Sequence, residues 1–326
     1  MRRYLYYILG ALIVFSSCAK DVDEFVPDAN QIIGPDTTWY TAVSNWMPLP
    51  RLKQELILPP AIDSVTAISN ETTVITKSGF DCTLYENSLL DDNGMPVNDN
   101  IALETKLVTK KGDWLKMAIP TLCNDEPLSV AGAFFVQATR NGKPLKLATD
   151  KLIKIKLPDG VIPTDDRLRL YNGNEQSPSG VSWTLNADTT VGNNKPVFSA
   201  GNCELNISAT RWMNLGFKDQ VMSTSSVRIA VYLPNNYTNA NTEVFLLYGD
   251  MPQVVMLQPD NGAKCFKSIP LPVGKSIKVV TITKDGNFYY LGHTNFVTSS
   301  NNNYQRVTIT PSKKELAVIK DFLDNL

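Results

Sequence analysis

Histidine is almost missing from this sequence: His293 is the only one in 326 residues. A nucleophile activated by histidine would have to use that residue, which follows a strand-like run at a loop. Zinc needs three or four well-placed His, Cys or acidic ligands, and one histidine with scattered cysteines does not supply them. Positive charge is not in excess either. The formal net charge is −1, so the basic surface that nucleic acid requires is not expected. No glycine-rich loop runs into a helix in the way a phosphate cradle demands. Paired carboxylates do occur, as Asp91-Asp92 and Asp165-Asp166. Both pairs fall in turns, and neighbouring residues on a strand point to opposite faces. The acidic turn at residues 91–94 lacks the alternate oxygen ligands and closing glutamate of a calcium loop. These shortages predict a non-catalytic protein with no cofactor and no metal. Hydrophobic residues make up 43% of the chain and charged residues only 19%, which is the balance of a globular protein of about two domains.

Apolar runs of spanning length, roughly 20 residues, are also lacking. One shorter run exists at the start. Arg2 and Arg3 precede residues 4–15 (YLYYILGALIVF), and Ser16-Ser17-Cys18 follow at once. This is the layout of a signal peptide over residues 1–17. Small residues directly before a cysteine resemble the bacterial lipobox, with Phe15 where Leu is usual. The resemblance implies that Cys18 is lipidated and becomes the mature N-terminus, its fatty acyl chains (palmitate or similar) being the only anchor. Asp21, Asp23 and Glu24 just behind it resemble the export signal of Bacteroidota surface lipoproteins. The expected location is therefore the outer membrane, lipid-anchored, with the inner and the cell-surface face both left open. Residues 18–54 read as a tether. Its second half holds Trp39, Tyr40, Trp46 and Met47, which should pack against the first domain or form a short strand or helix. Four further cysteines, Cys82, Cys123, Cys203 and Cys265, allow three disulfide pairings in an exported chain, or serve as buried thiols beside apolar runs.

From residue 56 onward period-2 alternation dominates. The clearest stretch is residues 132–158 (GAFFVQATRNGKPLKLATDKLIKIKLP). Phe134, Val136 and Ala138 alternate with Phe135, Gln137 and Thr139. Asn141-Gly142 forms a type I′ hairpin turn, because both residues tolerate positive φ. Ile153, Ile155 and Leu157 alternate with Lys154 and Lys156, so half-buried antiparallel structure is predicted. Before it, Asp92-Asn93-Gly94 marks a turn, residues 101–109 a strand, and Lys110-Lys111-Gly112-Asp113 another turn.

Those elements occur in a telling order. It runs through the Asp92-Asn93-Gly94 turn, a strand through Glu104, the Lys111-Gly112-Asp113 turn and Pro120-Thr121. The strand at Gly132-Ala133-Phe134, Asn141-Gly142, Leu145-Lys146-Leu147 and the closing Lys154-Ile155-Lys156-Leu157-Pro158 complete it. Residues 55–158 resemble the β-sandwich domain of ankyrins and netrin receptors, above all its version in Bacteroidota outer-membrane lipoproteins. The resemblance implies a binding module. His293-Thr294-Asn295 does not match the His-Phe-Ser motif at which some relatives cleave themselves, so self-cleavage is not implied.

Residues 159–166 (DGVIPTDD) are rich in chain breakers and read as a linker. Beyond it, strand patterns at 168–170, 181–185, 205–207, 227–233, 244–248, 253–257 and 277–283 predict a second sandwich-like domain over residues 167–310. Leu170-Tyr171 with Val181-Ser182-Trp183, and residues 211–216 (RWMNLG), resemble the same lipoproteins. Asp285-Gly286 is a hairpin signal. Residues 311–326 read as a C-terminal helix with Ser312 and Glu315 as a capping box and Leu316, Ile319 and Leu323 on one face. The expected fold is all-β, two antiparallel sandwiches in tandem. The expected function is a binding or scaffolding module of the envelope with a protein or glycan partner. The alternative is a glycan-binding accessory protein or a carboxylate-based hydrolase of the cell surface. Trp212, Tyr289 and Tyr290 are the candidate ligand contacts, by stacking on sugar faces. Thr37, Ser64 and Thr189 stand in Asp-Ser/Thr triplets that resemble Bacteroidota O-glycosylation sites.

Overall fold

The computed structural model describes residues 36–177, 180–187, 195–199, 201–218, 225–299 and 304–326. All but Asp36 fall in one compact unit, Thr37–Leu326. That unit is all-β, with several antiparallel sheets. Three helices are described: α1 (Pro48–Leu56), α2 (Lys111–Lys116) and α3 (Leu316–Asp324).

The opening motif folds as its alternation requires. Ile153, Ile155 and Leu157 are fully buried while Lys154 and Lys156 lie at the surface boundary. Asn141 and Gly142 take φ of 52° and 74°, the positive values of a type I′ turn. Around them two sheets close on one core. Sheet I runs Ala61–Ala67, Asp99–Val108, Glu126–Arg140, Trp212–Lys218, Arg169–Ser177, Gly180–Leu185. Sheet II runs Val197–Ser199, Asn202–Ile207, Ile153–Leu157, Asp81–Tyr85, Glu71–Ile75. Leu103, Phe134, Val136, Met213 and Leu215 of sheet I share a core with Cys82, Leu84, Ile155, Leu205 and Ile207 of sheet II.

This topology moves the expected domain boundary. Trp212–Lys218 pairs with Glu126–Arg140, and Asn202–Ile207 pairs with Ile153–Leu157. Strands assigned from sequence to a second domain therefore complete the first. The breaker-rich segment at 159–166 is a crossover from sheet II to sheet I, with Leu168 and Leu170 buried in the same core. A crossover loop and an interdomain linker share one composition, so local sequence does not separate them.

The second sandwich begins at Ser226–Tyr232. That strand pairs antiparallel with Cys265–Lys267 and Leu271–Pro272, and parallel with Tyr304–Thr308. This sheet III faces sheet IV, ordered Gln253–Met256, Thr242–Tyr248, Ser276–Asp285, Phe288–Val297, Ser312–Lys314. Val227, Ile229 and Val231 pack on Val244, Leu246, Ile277 and Val279.

A third core lies between the sandwiches. The outer face of sheet I (Val108, Leu128, Val130, Ala133, Trp183) meets the outer face of sheet IV (Phe245, Leu247, Val254, Val280, Ile282), with Trp114 and Leu115 of α2 and Ile319 and Leu323 of α3 among them. Sheet I is thus buried on both faces along much of Glu126–Arg140, where alternation alone implied one buried face. Every residue of Thr242–Tyr248 is buried for the same reason. Hydrogen bonds stitch the seam. Val254 N–H donates to Thr121 Oγ at 2.8 Å, Thr121 N–H to Val254 O at 2.8 Å, and Trp183 Nε1 to Pro120 O at 2.8 Å.

Two local expectations change. The Lys110–Asp113 turn is instead the start of α2, because Trp114 and Leu115 are drawn into the seam. The capping box does not form. Ser312 pairs with Leu291 in sheet IV, and α3 starts after Glu315 with no side-chain cap. Lys116 of α2 is ion-paired with Asp113 and with Asp324 of α3.

The four described cysteines are buried free thiols. Cys82 and Cys203 lie opposite Ile155 and Leu157 on the two sides of the same strand. Two strand spacings, about 9.6 Å, exceed the roughly 7 Å limit for a bridge. Burial pushes both thiols up to about 12.

Two outcomes are expected. A Cβ at Gly112 would fall on the carbonyl carbon and oxygen of Leu323, which is backbone and cannot swing aside. Gly112→Ala should therefore lose about 2–3 kcal/mol in urea unfolding, although alanine is the better helix former by about 1 kcal/mol. Native protein at pH 8 should leave Cys82 and Cys203 unmodified by iodoacetamide for hours, as peptide mass mapping reads, since the thiolate fraction is about 10⁻⁴.

Candidate functional site

Helix α1 and the segment before it supply one wall of a cleft on the second sandwich. Pro48 opens the helix, where its missing N–H costs nothing. Leu52 and Leu56, one turn apart, are buried in the seam. Lys53 and Glu55 then reach to either side. Lys53 Nζ lies 2.7 Å from Glu243 Oε1, and Lys284 Nζ donates to the two oxygens of Glu55 at 3.0 and 3.2 Å. Both partners stand on sheet IV, so two ion pairs of opposite polarity hold α1 in place. The preceding segment is stapled as well. Tyr40 N–H donates to Asn239 Oδ1 at 3.0 Å, Asn239 Nδ2 donates back to Tyr40 O at 2.6 Å, and Leu49 N–H donates to Ala240 O at 2.9 Å. Trp39 packs on Phe266, with ring centroids 5.1 Å apart. The second half of the expected tether is therefore folded structure. It docks on the second sandwich rather than the first, because that is where the matching polar loop at residues 238–241 and Phe266 lie.

The resulting cleft holds about 530 Å³. Val43, Leu49, Met256, Leu257 and Phe266 give it apolar walls, and Lys53 and Glu243 are its charged lining residues. Asn45 and Gln258 stand exposed on its rim, whereas Thr242 and Asn239 are engaged within the fold. Thr242 Oγ lies 2.8 Å from Thr283 Oγ, and Asn239 is held by Tyr40. The Glu243 side chain is only 9% exposed, against 41% for Lys53. Burial raises the Glu243 carboxyl above its ordinary range, and the Lys53 ammonium pulls it only part of the way back. Burial opposes the Lys284 ammonium too, but hydrogen bonds to Tyr289 and Glu55 outweigh it and hold Lys284 above the usual lysine value.

The aromatic residues singled out from sequence are not assembled into a binding platform. Trp212 is 5% exposed, with its ring against Phe135 at 5.4 Å. It cannot stack on a sugar, and the expectation for that residue is corrected. The segment around it is buried because sheet I has the seam on its outer side. Tyr289 Oη accepts a hydrogen bond from Lys284 Nζ (2.8 Å), and that ammonium also sits 4.2 Å from its ring centroid. Tyr290 packs on Tyr237 at 5.4 Å. His293 stacks on Phe322 of α3, at 4.9 Å and 21°. Thr37 is exposed near Trp39, and Ser64 is exposed in the middle of Ala61–Ala67, opposite Ala102. Cys18 and Thr189 lie outside the described residues. Among the described residues no group of three His, Cys, Asp or Glu could hold a metal ion.

Lys53 and Glu243 were not singled out by the sequence. One signal was available: Glu243 is the only charge in the strand sequence TEVFLLY. Its partner stands far away along the chain, so the pair itself is invisible without the fold. No protein-family model matches the chain, and no curated protein matches it.

A carboxyl with a raised folded-state value binds its proton more readily folded than unfolded. The stability it contributes is present below the ordinary carboxylate value, 4.5, and is lost as pH climbs through the raised one. Wild-type stability should carry this loss above pH 4.5, and Glu243→Gln should remove it. Lys53 can turn to water, so it is not left as a stranded buried charge. In urea titrations at successive pH values the variant should gain on wild type as pH rises from 4.5 to 8. A variant that instead falls further behind as pH rises would contradict the assignment.

Proposed function

We propose that this chain is a non-catalytic envelope lipoprotein, held at the outer membrane through lipid on Cys18 and working as a binding or scaffolding module. The observation that carries the binding reading is the cleft beside α1. A ligand site is a concave, mainly apolar space with a few fixed polar groups, and this cleft has apolar walls and one ion pair fixed on a sheet buried on both faces. Rigid mounting favours recognition, since little order has to be created on binding. The anchor reading is supported by Arg2-Arg3, the apolar residues 4–15 and Ser16-Ser17-Cys18. No helix among the described residues is long and apolar enough to cross a membrane. The likeness to Bacteroidota lipoproteins with an ankyrin-type sandwich is part of the same proposal, and so is a protein partner of the envelope.

Protease shaving of intact cells, with mass spectrometry of the mature N-terminus, tests anchoring and orientation together. The expected species begins at a diacylated or triacylated Cys18, and shaving releases peptides from residues 37–326. A mature N-terminal peptide with an unmodified Cys18 thiol, or cleavage at another position, would overturn the anchor.

A further inference from the structure

We propose that the cleft between α1 and the Thr242–Tyr248 strand is a receptor for the ammonium group of a lysine side chain presented by an envelope protein partner. The inference rests on the binding reading above and names what the site recognises. Three observations carry it. Glu243 is a carboxylate on a fixed strand, nine-tenths buried, opening into a cleft of about 530 Å³. Its present partner, Lys53, is itself a lysine ammonium, at 2.7 Å, on a side chain 41% exposed. Val43 is exposed and Leu49 and Met256 are half-buried along the cleft walls, apolar surface of the kind that lines a lysine's methylene stem.

Charge decides which ligand sign the site takes. An incoming anion would gain Lys53 but meet Glu243 within the same few ångströms, and like charges there repel. An incoming cation meets a carboxylate that burial destabilises and that one half-exposed ammonium only partly compensates. It can share Glu243 with Lys53 or replace it, and Lys53 loses little on returning to water. Lys53 thus occupies in the free protein the position that the partner's lysine takes in the complex. A sugar amine has the charge but no apolar stem to meet the walls.

The test uses the full chain in non-ionic detergent, with methyl-labelled methionine, the Met256 resonance being assigned through Met256→Leu. n-Butylamine stands for the lysine side chain, butyrate reverses its charge, and glucosamine represents an amino sugar. Butylamine should shift the Met256 resonance saturably, with Kd on the order of millimolar for so few atoms, and butyrate and glucosamine at equal concentration should not. Glu243→Gln should abolish the shift. Lys53→Met should tighten butylamine binding up to about fivefold, because a competitor worth at most about 1 kcal/mol is removed. A merely structural pair would show weaker binding in both variants. Butyrate shifting Met256 equally, glucosamine binding more tightly, butylamine binding unchanged in Glu243→Gln, or no shift with any probe would each overturn the proposal. Partner capture from cross-linked envelopes separates the two levels. Capture retained by a chain that ignores butylamine overturns the lysine receptor and leaves the binding module standing. Butylamine binding without capture of any envelope protein overturns the partner.

Discussion

The structure depends on one constraint: sheet I and sheet IV each have to be covered twice. One face of each closes its own sandwich, and the other is apolar as well. Val108, Val130 and Ala133 on one side and Phe245, Val280 and Ile282 on the other would be left in water if the sandwiches stood apart. Burying a large apolar side chain contributes about 1.5–3 kcal/mol, so a seam of this many residues outweighs the freedom lost in joining the domains. Two curved sheets do not meet evenly, and the gap is filled by α2 and α3. At their contact the Leu323 carbonyl sits where a Cβ on residue 112 would stand, and only glycine leaves room for it. The two sandwiches are therefore one body, and a side chain placed on sheet IV inherits the rigidity of the whole.

That rigidity explains where the site is. Helix α1 is short and not independently stable. It persists because Leu52 and Leu56 join the seam while Glu55 pairs with Lys284 of sheet IV. The cleft is the space left between this helix and the start of the Thr242–Tyr248 strand, so its width is set by the same contacts that hold the helix down. Neither wall can relax without losing apolar contact or an ion pair.

Much of the fold was legible in the sequence because it is written locally. The alternation at Ile153, Ile155 and Leu157, the turn at Asn141-Gly142 and the hairpin at Asp285-Gly286 each need only neighbouring residues, and each forms as expected. What was not legible is relational. Trp212 reads as an aromatic free to stack until the seam covers it. The breakers at 159–166 read as a domain linker until Asn202–Ile207 returns to pair with Ile153–Leu157. Ser312 and Glu315 read as a capping box until Ser312 is claimed by the strand at Leu291. In each case a local preference worth about 1 kcal/mol gives way to burial or pairing worth several. The candidate site is the extreme instance, since Lys53 and Glu243 meet only after both sandwiches and α1 are in place.

The Lys53–Glu243 pair is not what stability alone would select. Replacing a buried ion pair by packed apolar side chains is often neutral or favourable, and the walls around this one are apolar already. A leucine at residue 243 would fit the pattern of TEVFLLY better than glutamate does. The carboxylate also carries a desolvation cost that Lys53 offsets only in part. By contrast, the Glu55–Lys284 pair is reinforced by Tyr289 and holds its ammonium firmly charged. Of two ion pairs on one helix, one is thus reinforced by a third group and the other lines a cleft with a half-exposed lysine as its partner. A buried carboxylate on a rigid frame, paired with a side chain that water can reclaim, can exchange that partner for another cation, which is the physical basis for recognition at this position rather than at the exposed loops.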